Sequence, residues 1–140
     1  MSTDIAALLV SLKPRFAEMI LAGEKTVELR RVRPSIEPGA LVVFYASSPV
    51  KEVLGTGRVA AIDASSPSAL WDRHGSLSGL SRREFRAYFA GSDEAVAIAL
   101  TDVRRLAKPV PLAELRRRWQ GFRPPQSFRY LDAAQAANVM

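Results

Sequence analysis

Residues 9–30 read LVSLKPRFAEMILAGEKTVELR, and this stretch decides the fold. It begins within an apolar run, residues 5–12, that stops at Lys13-Pro14, and a short apolar run bounded by such breakers predicts a buried strand. Pro14 suits the first position of a helix, and Gly23 suits the left-handed residue that ends one. We therefore expect a strand followed by a helix of about ten residues.

The hydrophobic period changes to two in Thr26-Val27-Glu28-Leu29-Arg30. This alternation predicts a strand whose two apolar residues face the core, while Glu28 and Arg30 share the opposite face with Thr26. Lys25 stands at the start of the strand and reaches the same side. The three charged residues therefore either line one opening or form an ordinary solvated strand face with a salt bridge.

The rest of the chain alternates between strand and helix patterns. Strands are predicted at residues 40–46, 52–63 and 94–103, with Gly55 and Gly57 indicating sharp curvature in the second. The first of these is nearly all apolar, so we expect a central strand that is covered on both faces or closes a barrel. Helices are predicted from residue 68, over 81–89 after a capping box, over 111–118 and over 132–139, with an extended segment at 123–131.

Length and composition narrow the class of protein. We expect one α+β domain over residues 1–140. The chain has no cysteine and one histidine, His74, which excludes disulfides, thiolate catalysis and zinc sites built from cysteine or several histidines. We predict no metal site and no cofactor, and we expect His74 to be a loop or helix-end residue. A membrane partner is not expected, because no apolar run is long enough to span a membrane. The start of the chain does not resemble a secretory signal, so we expect a cytoplasmic location. The sequence leaves the oligomeric state open.

The charge balance favours a polyanionic partner such as RNA or DNA. Twenty basic residues face 14 acidic ones, for a net charge of +6. The many arginines can equally reflect a GC-rich genome. Three arginine clusters predict either a basic track along nucleic acid or solvated faces, and they are Arg116-Arg117-Arg118, Arg104-Arg105 and Arg82-Arg83. Arg31 and Arg33 directly follow the charged strand and are better candidates for contacts with a nucleic-acid backbone.

Several segments together resemble a known family. Ser11-Leu12-Lys13-Pro14 precedes the first helix, and Gly-x-Lys-x-x-Glu-x-Arg follows it over residues 23–30. Residues 44–50 and 125–130 complete the pattern. Over nearly its whole length the sequence resembles the ASCH domains, relatives of the PUA domain, and in particular a subgroup of stand-alone proteins. The resemblance implies a PUA-like twisted β-barrel of about five to six strands with surrounding helices.

The resemblance also implies a cleft beside the first helix that takes RNA or a nucleotide base. Lys25 and Arg30 would meet a phosphate or a base edge, the guanidinium through two parallel hydrogen bonds. Glu28 would accept from an exocyclic amine, as a carboxylate does with cytosine N4. Tyr45 offers a stacking ring or is simply a strand residue. The proposed binding residues are Lys13, Lys25, Glu28, Arg30, Tyr45, Ser47, Ser48, Gln126 and Ser127.

An enzymatic role is the main alternative. Some ASCH proteins are amidohydrolases of N4-acetylcytidine that use a lysine, a threonine and a glutamate. Lys25 matches the lysine, but Glu28 holds the threonine's place and Ser78 the glutamate's. A Lys25–Glu28 pair could still act as acid and base, in such a hydrolysis or in the ribonuclease reaction reported for ASCH relatives. The leading hypothesis is a nucleic-acid-binding module for RNA or a modified nucleotide, ahead of a small hydrolase and of a protein-interaction domain with an idle cleft.

Overall fold

The computed structural model describes residues 6–139 and contains, within them, six strands and five α-helices. The strands are β1 (Ala7–Leu12), β2 (Val27–Arg30), β3 (Leu41–Ala46), β4 (Glu52–Ser65), β5 (Ala95–Pro111) and β6 (Phe128–Leu131). The helices are α1 (Pro14–Leu21), α2 (Pro67–His74), α3 (Arg82–Tyr88), α4 (Leu112–Arg118) and α5 (Ala133–Ala137), and a 3₁₀ turn (Gly75–Leu77) follows α2. Ile5, with which the first predicted strand begins, lies outside the described residues.

The strands form one mixed sheet in the order β2-β5-β4-β3-β1-β6. β1 and β3 run parallel, and the other neighbouring pairs are antiparallel. The sheet curves into a half-barrel with helices around it, which confirms the predicted α+β class and PUA-like architecture. Because β1 and β3 are parallel, their carboxyl ends at Leu12 and Ala46 meet at the same edge of the sheet.

The helix boundaries agree closely with the sequence signals. α1 begins at Pro14, and Gly23 adopts a φ of 81° just after it ends. The capping box is formed as predicted: the Ser81 hydroxyl accepts from the Glu84 main-chain N–H, and the Glu84 carboxylate accepts from that of Ser81. α2 begins one residue earlier than predicted because Ser66 caps it.

β5 is much longer than the pattern over residues 94–103 predicted. It continues to Pro111 and pairs with β4 at both of its ends. Polar residues and prolines interrupt the alternation, but register shifts in the β4–β5 pair absorb them, and Asp102 adopts a φ of 50° within one shift. Two of the shifts fall beside Gly55 and Gly57, where the sequence predicted curvature.

Gly55 leaves no room for a side chain. A Cβ atom there would lie 2.5 Å from the main-chain oxygen of Arg104 and 2.5 Å from a methyl group of Leu21. We expect Gly55→Ala to lower the free energy of unfolding by about 1–3 kcal/mol, because β5 and the end of α1 must move away. Urea unfolding followed by circular dichroism measures this. Gly57→Ala is a milder comparison, because its Cβ would meet only the Phe44 ring, at 3.0 Å, and a side chain of β5; wild-type stability in both variants would contradict the tight approach.

Both faces of the sheet are covered. On one face, β1 and β3 pack with residues from the α4 and α5 region, around Tyr45 and Trp119. On the other face they pack against α1, around Phe44 and Ile20. β3 is therefore buried on both sides, as its apolar run predicted. A third cluster, around Leu70, joins α2 and α3 to β2 and β5, so the predicted helical insertion packs against an edge of the sheet.

Candidate functional site

A cavity of about 540 Å³ lies where α1, β2 and α3 meet. This charged cavity has Phe16 of α1 and Tyr88 of α3 in its walls. Its volume falls within the range of about 300–1,000 Å³ that is usual for ligand sites. Five of the residues proposed from the sequence line it, and they are Lys13, Lys25, Glu28, Arg30 and Gln126.

Three charged side chains form one buried cluster in its wall. Glu28 lies between two cations, with Oε1 3.2 Å from Lys25 Nζ and Oε2 2.5 Å from Arg30 Nη2. Lys25 Nζ also donates to the main-chain oxygen of Ser78 at 2.5 Å. Arg30 Nη2 donates to that of Ser11 at 3.1 Å. The cluster thus ties the end of β1 and the turn before α3 to β2.

The charged strand face is not solvated. Lys25 is 3% exposed, Glu28 6% and Arg30 8%, so the interpretation as an ordinary exposed salt bridge is wrong. These side chains are buried because the connection between α2 and α3 covers β2. The Thr26 main-chain N–H donates to the Leu77 oxygen at 3.0 Å and holds this connection over the strand.

The cluster has two basic groups for one carboxylate. Burial lowers the pKa of Lys25, and the nearby Glu28 carboxylate partly opposes this effect. Within residues 6–139, Arg30 Nε is buried and has no hydrogen-bond acceptor. An unpaired buried donor is costly, so Arg30 Nε lowers the stability of the cluster.

The other four proposed residues do not line the charged cavity. Tyr45 points into the cluster on the opposite face of the sheet, where burial raises the pKa of its phenol. The Ser47 main-chain N–H donates to the Leu12 oxygen at 2.8 Å, and the Ser127 oxygen accepts from the Ser11 N–H at 2.9 Å. Ser48, next to Ser47, is exposed.

This placement puts Ser47 and Ser127 beside the charged cavity, because Ser11 and Leu12 line it. Tyr45 is paired with Ser11 across the parallel strands. The four residues therefore gather at the carboxyl ends of β1 and β3, behind the rim of the charged cavity.

Sequence reasoning missed the aromatic walls. Phe16 lies within the helix predicted after Pro14, and its ring lies 5.3 Å from Lys25 Nζ. Tyr88 donates to the Leu29 oxygen at 3.4 Å. The capping box located α3 in the chain but carried no information on which face meets β2. Ser78 does approach Lys25, but through its main-chain oxygen, and its hydroxyl donates to Gly75.

Most of the arginine clusters are partly neutralised. Arg104 pairs with Asp102, and Arg105 pairs with Glu18. Glu114 pairs with both Arg117 and Arg118. Arg31 donates to the Tyr88 oxygen at 2.7 Å and covers the Tyr88 ring. A continuous basic track through residues 104–118 is therefore weakened by these carboxylates.

Two further features concern metals and membranes. In the part of the chain that the structure describes, no group of three or more histidine, cysteine, aspartate or glutamate residues is placed to hold a metal ion. His74 lies away from the charged cavity, with Nε2 2.8 Å from Asp63 Oδ2. None of the helices over residues 6–139 is both long and apolar enough to cross a membrane.

Comparisons with known proteins place the chain. Residues 5–117 match the family model described as a domain of unknown function (DUF365). The ASCH domain-containing ribonuclease of Zymomonas mobilis is 38% identical over 137 residues, which are 98% of this chain and 92% of that protein. A crystal structure of ASCH from Z. mobilis superposes with a TM-score of 0.91, at 36% identity over 96% of this chain and 93% of that one. Structures of a Tyr-to-Phe and a Ser-to-Ala mutant of that protein match similarly.

A more distant structure shares only the fold. Human THYN1, solved in complex with 5-methylcytosine-containing DNA, superposes with a TM-score of 0.61 at 15% identity over 94% of each chain. The Zymomonas relatives, by contrast, match in sequence and structure along nearly the full length. The chain belongs to the DUF365 family and to the ASCH domain family.

Proposed function

We propose that this protein binds single-stranded RNA and holds one nucleotide in the charged cavity. The observation that carries the proposal is the Lys25–Glu28–Arg30 cluster in the cavity wall, which has two basic groups for one carboxylate. Basic groups, a guanidinium among them, suit a phosphate or a carbonyl oxygen of a base.

The walls supply the remaining contacts that a base needs. Phe16 and Tyr88 offer aromatic surface, and stacking on aromatic rings is the usual way in which proteins hold unpaired bases. Each carboxylate oxygen of Glu28 already accepts from one cation but keeps a second lone pair for an exocyclic amine. Lys13 and Gln126 are exposed residues in its lining, where they would meet the sugar and phosphate.

The comparisons support a nucleic-acid partner in general. The Zymomonas relative is named a ribonuclease, and it matches 98% of this chain. The THYN1 complex shows that a protein of this fold can bind DNA. RNA is preferred here because a relative that matches nearly the whole chain in sequence is named a ribonuclease. DNA remains the comparison ligand in the test.

We expect Arg30→Lys to raise the Kd for a short single-stranded RNA about tenfold or more. The substitution keeps a cation beside Glu28 but removes the planar fork, and a hydrogen bond to a charged group contributes about 1.5–3 kcal/mol. Fluorescence anisotropy at low salt measures the Kd. The matched control is Arg58→Lys, because Arg58 is exposed and does not line the charged cavity. Equal affinity of both variants and the wild type, or no binding at all by the wild type, would reject the proposal.

Cleavage of RNA is a second candidate function. It is favoured by the name of the Zymomonas relative and by the two mutants of its ASCH protein, whose substitutions fall close in chain position to Tyr45 and Ser127. In such a reaction the 2′-oxygen attacks the adjacent phosphorus and loses its proton to a general base of the protein. The bond from phosphorus to the 5′-oxygen breaks, and the 5′-oxygen takes up a second proton. Tyr45, whose phenol is an O–H donor, would give this second proton to RNA that reaches the carboxyl ends of β1 and β3.

A further inference from the structure

A second cavity, of about 300 Å³, lies between α2 and α3. Its aromatic lining consists of Trp71, Phe85 and Phe89, and Trp71 and Phe85 pack with ring centroids 5.0 Å apart. Arg82 and Arg86 also line it, and the Arg82 guanidinium lies 5.7 Å from the centre of the Trp71 ring. Aromatic rings and two cations therefore line the same cavity.

α3 separates this aromatic cavity from the charged cavity. Residues 82, 85, 86 and 89, at helical spacing, line the aromatic cavity, whereas Glu84, Ala87 and Tyr88 on the opposite face line the charged one. A helix with its side chains is about 10–12 Å across. A strand that crosses α3 could thus place nucleotides in both cavities.

The electrostatics of α3 fit a polyanion. Over residues 6–139, Arg82 and Arg86 have no carboxylate within salt-bridge distance, unlike Arg104, Arg105, Arg117 and Arg118. No acidic side chain lines the aromatic cavity. This exposed, uncompensated positive charge complements a phosphate backbone.

We propose that the aromatic cavity is a second nucleotide site, which holds another base of the RNA strand whose first nucleotide occupies the charged cavity. The base stacks on Trp71, and its phosphate meets Arg82 and Arg86. This inference rests on the proposed function, because it names how the same RNA continues across α3. It makes the binding site one for a strand rather than for a free nucleotide.

Arg86→Ala is expected to weaken binding of an oligoribonucleotide about tenfold, through loss of a hydrogen bond to a charged group. It should also lower the slope of log K against log salt by about 0.7, the value for one phosphate contact on a single strand. Binding of a mononucleotide should not change. Arg83→Ala is the matched control, because it removes the same charge from the same helix at a position that lines neither cavity.

Trp71→Phe gives a readout that does not depend on charge. The variant keeps an aromatic ring against Phe85, so the fold is maintained. RNA should quench the tryptophan fluorescence of the wild type, and the variant should lose this quenching because the remaining Trp119 is buried in the cluster on another face of the sheet. The quenching should require an oligonucleotide long enough to cross α3.

The outcomes separate the two proposals. The second site is overturned, and the first is left, if Arg30→Lys loses affinity while Arg86→Ala and Arg83→Ala bind equally well. In that case the quenching should also be unchanged in Trp71→Phe. No RNA binding by the wild type overturns both. Weakening by Arg86→Ala together with lost quenching, against unchanged mononucleotide binding, supports the second site.

Discussion

Replacing Glu28 by alanine is expected to lower the free energy of unfolding by about 3–5 kcal/mol. The carboxylate holds Lys25 Nζ at 3.2 Å and Arg30 Nη2 at 2.5 Å, and all three side chains are buried. Without it, two cations would remain side by side with no counter-ion. A loss of this size is a large part of the stability of an ordinary domain, and few single substitutions produce it.

Urea unfolding measures this loss, and the neighbouring acidic residue provides the control. Glu24 is exposed, so Glu24→Ala should change the free energy of unfolding by no more than about 0.5 kcal/mol. If Glu28→Ala has an equally small effect, then water reaches the two cations and the cluster is not desolvated.

Replacing the whole cluster tests why the charges are there. Buried ion groups can often be exchanged for apolar residues of similar size at no cost, or with a gain of about 1–4 kcal/mol. The triple variant Lys25→Met, Glu28→Leu, Arg30→Met should therefore regain the stability that Glu28→Ala loses. It should not bind RNA in the charged cavity. That combination would assign the charges to the ligand and not to the fold.

The local elements could be predicted because their signals lie within a few residues. Pro14 and Gly23 bound α1, and the Ser81–Glu84 box begins α3. β5 could not be bounded in this way. Its outer half is held by pairing with β4 across register shifts, and such long-range pairing overrides an interrupted local pattern.

The same division applies to the site. Alternation in residues 26–30 placed Glu28 and Arg30 on one face, which the structure confirms by their common ion pair. Their burial depends on a helical insertion about fifty residues further along the chain, and no pattern in β2 reports it. The contacts with Tyr88 and with the Ser78 oxygen arise from the same insertion. The walls of the charged cavity could therefore not be predicted from sequence patterns within β2.

Tyr45→Phe is expected to lower the rate of RNA cleavage about 100-fold or more, the smallest usual contribution of a general acid. The ring is 2% exposed and packs in the cluster with Trp119, and the substitution leaves that packing in place. Stability and RNA affinity should therefore change little, because the substitution removes only one hydroxyl. Single-turnover cleavage of an end-labelled RNA measures the rate, and anisotropy measures the affinity.

A second tyrosine and a second acid group make this result decisive. Tyr130→Phe removes a hydroxyl that only accepts from the Ser35 main-chain N–H, so it should leave cleavage unchanged. If Glu28→Gln abolishes cleavage while Tyr45→Phe preserves it, the chemistry lies in the charged cavity and not at the ends of β1 and β3. If the wild type binds RNA without cleaving it, the ribonuclease candidate fails and binding stands alone. The rate of Tyr45→Phe therefore decides whether cleavage depends on the hydroxyl at the carboxyl ends of β1 and β3.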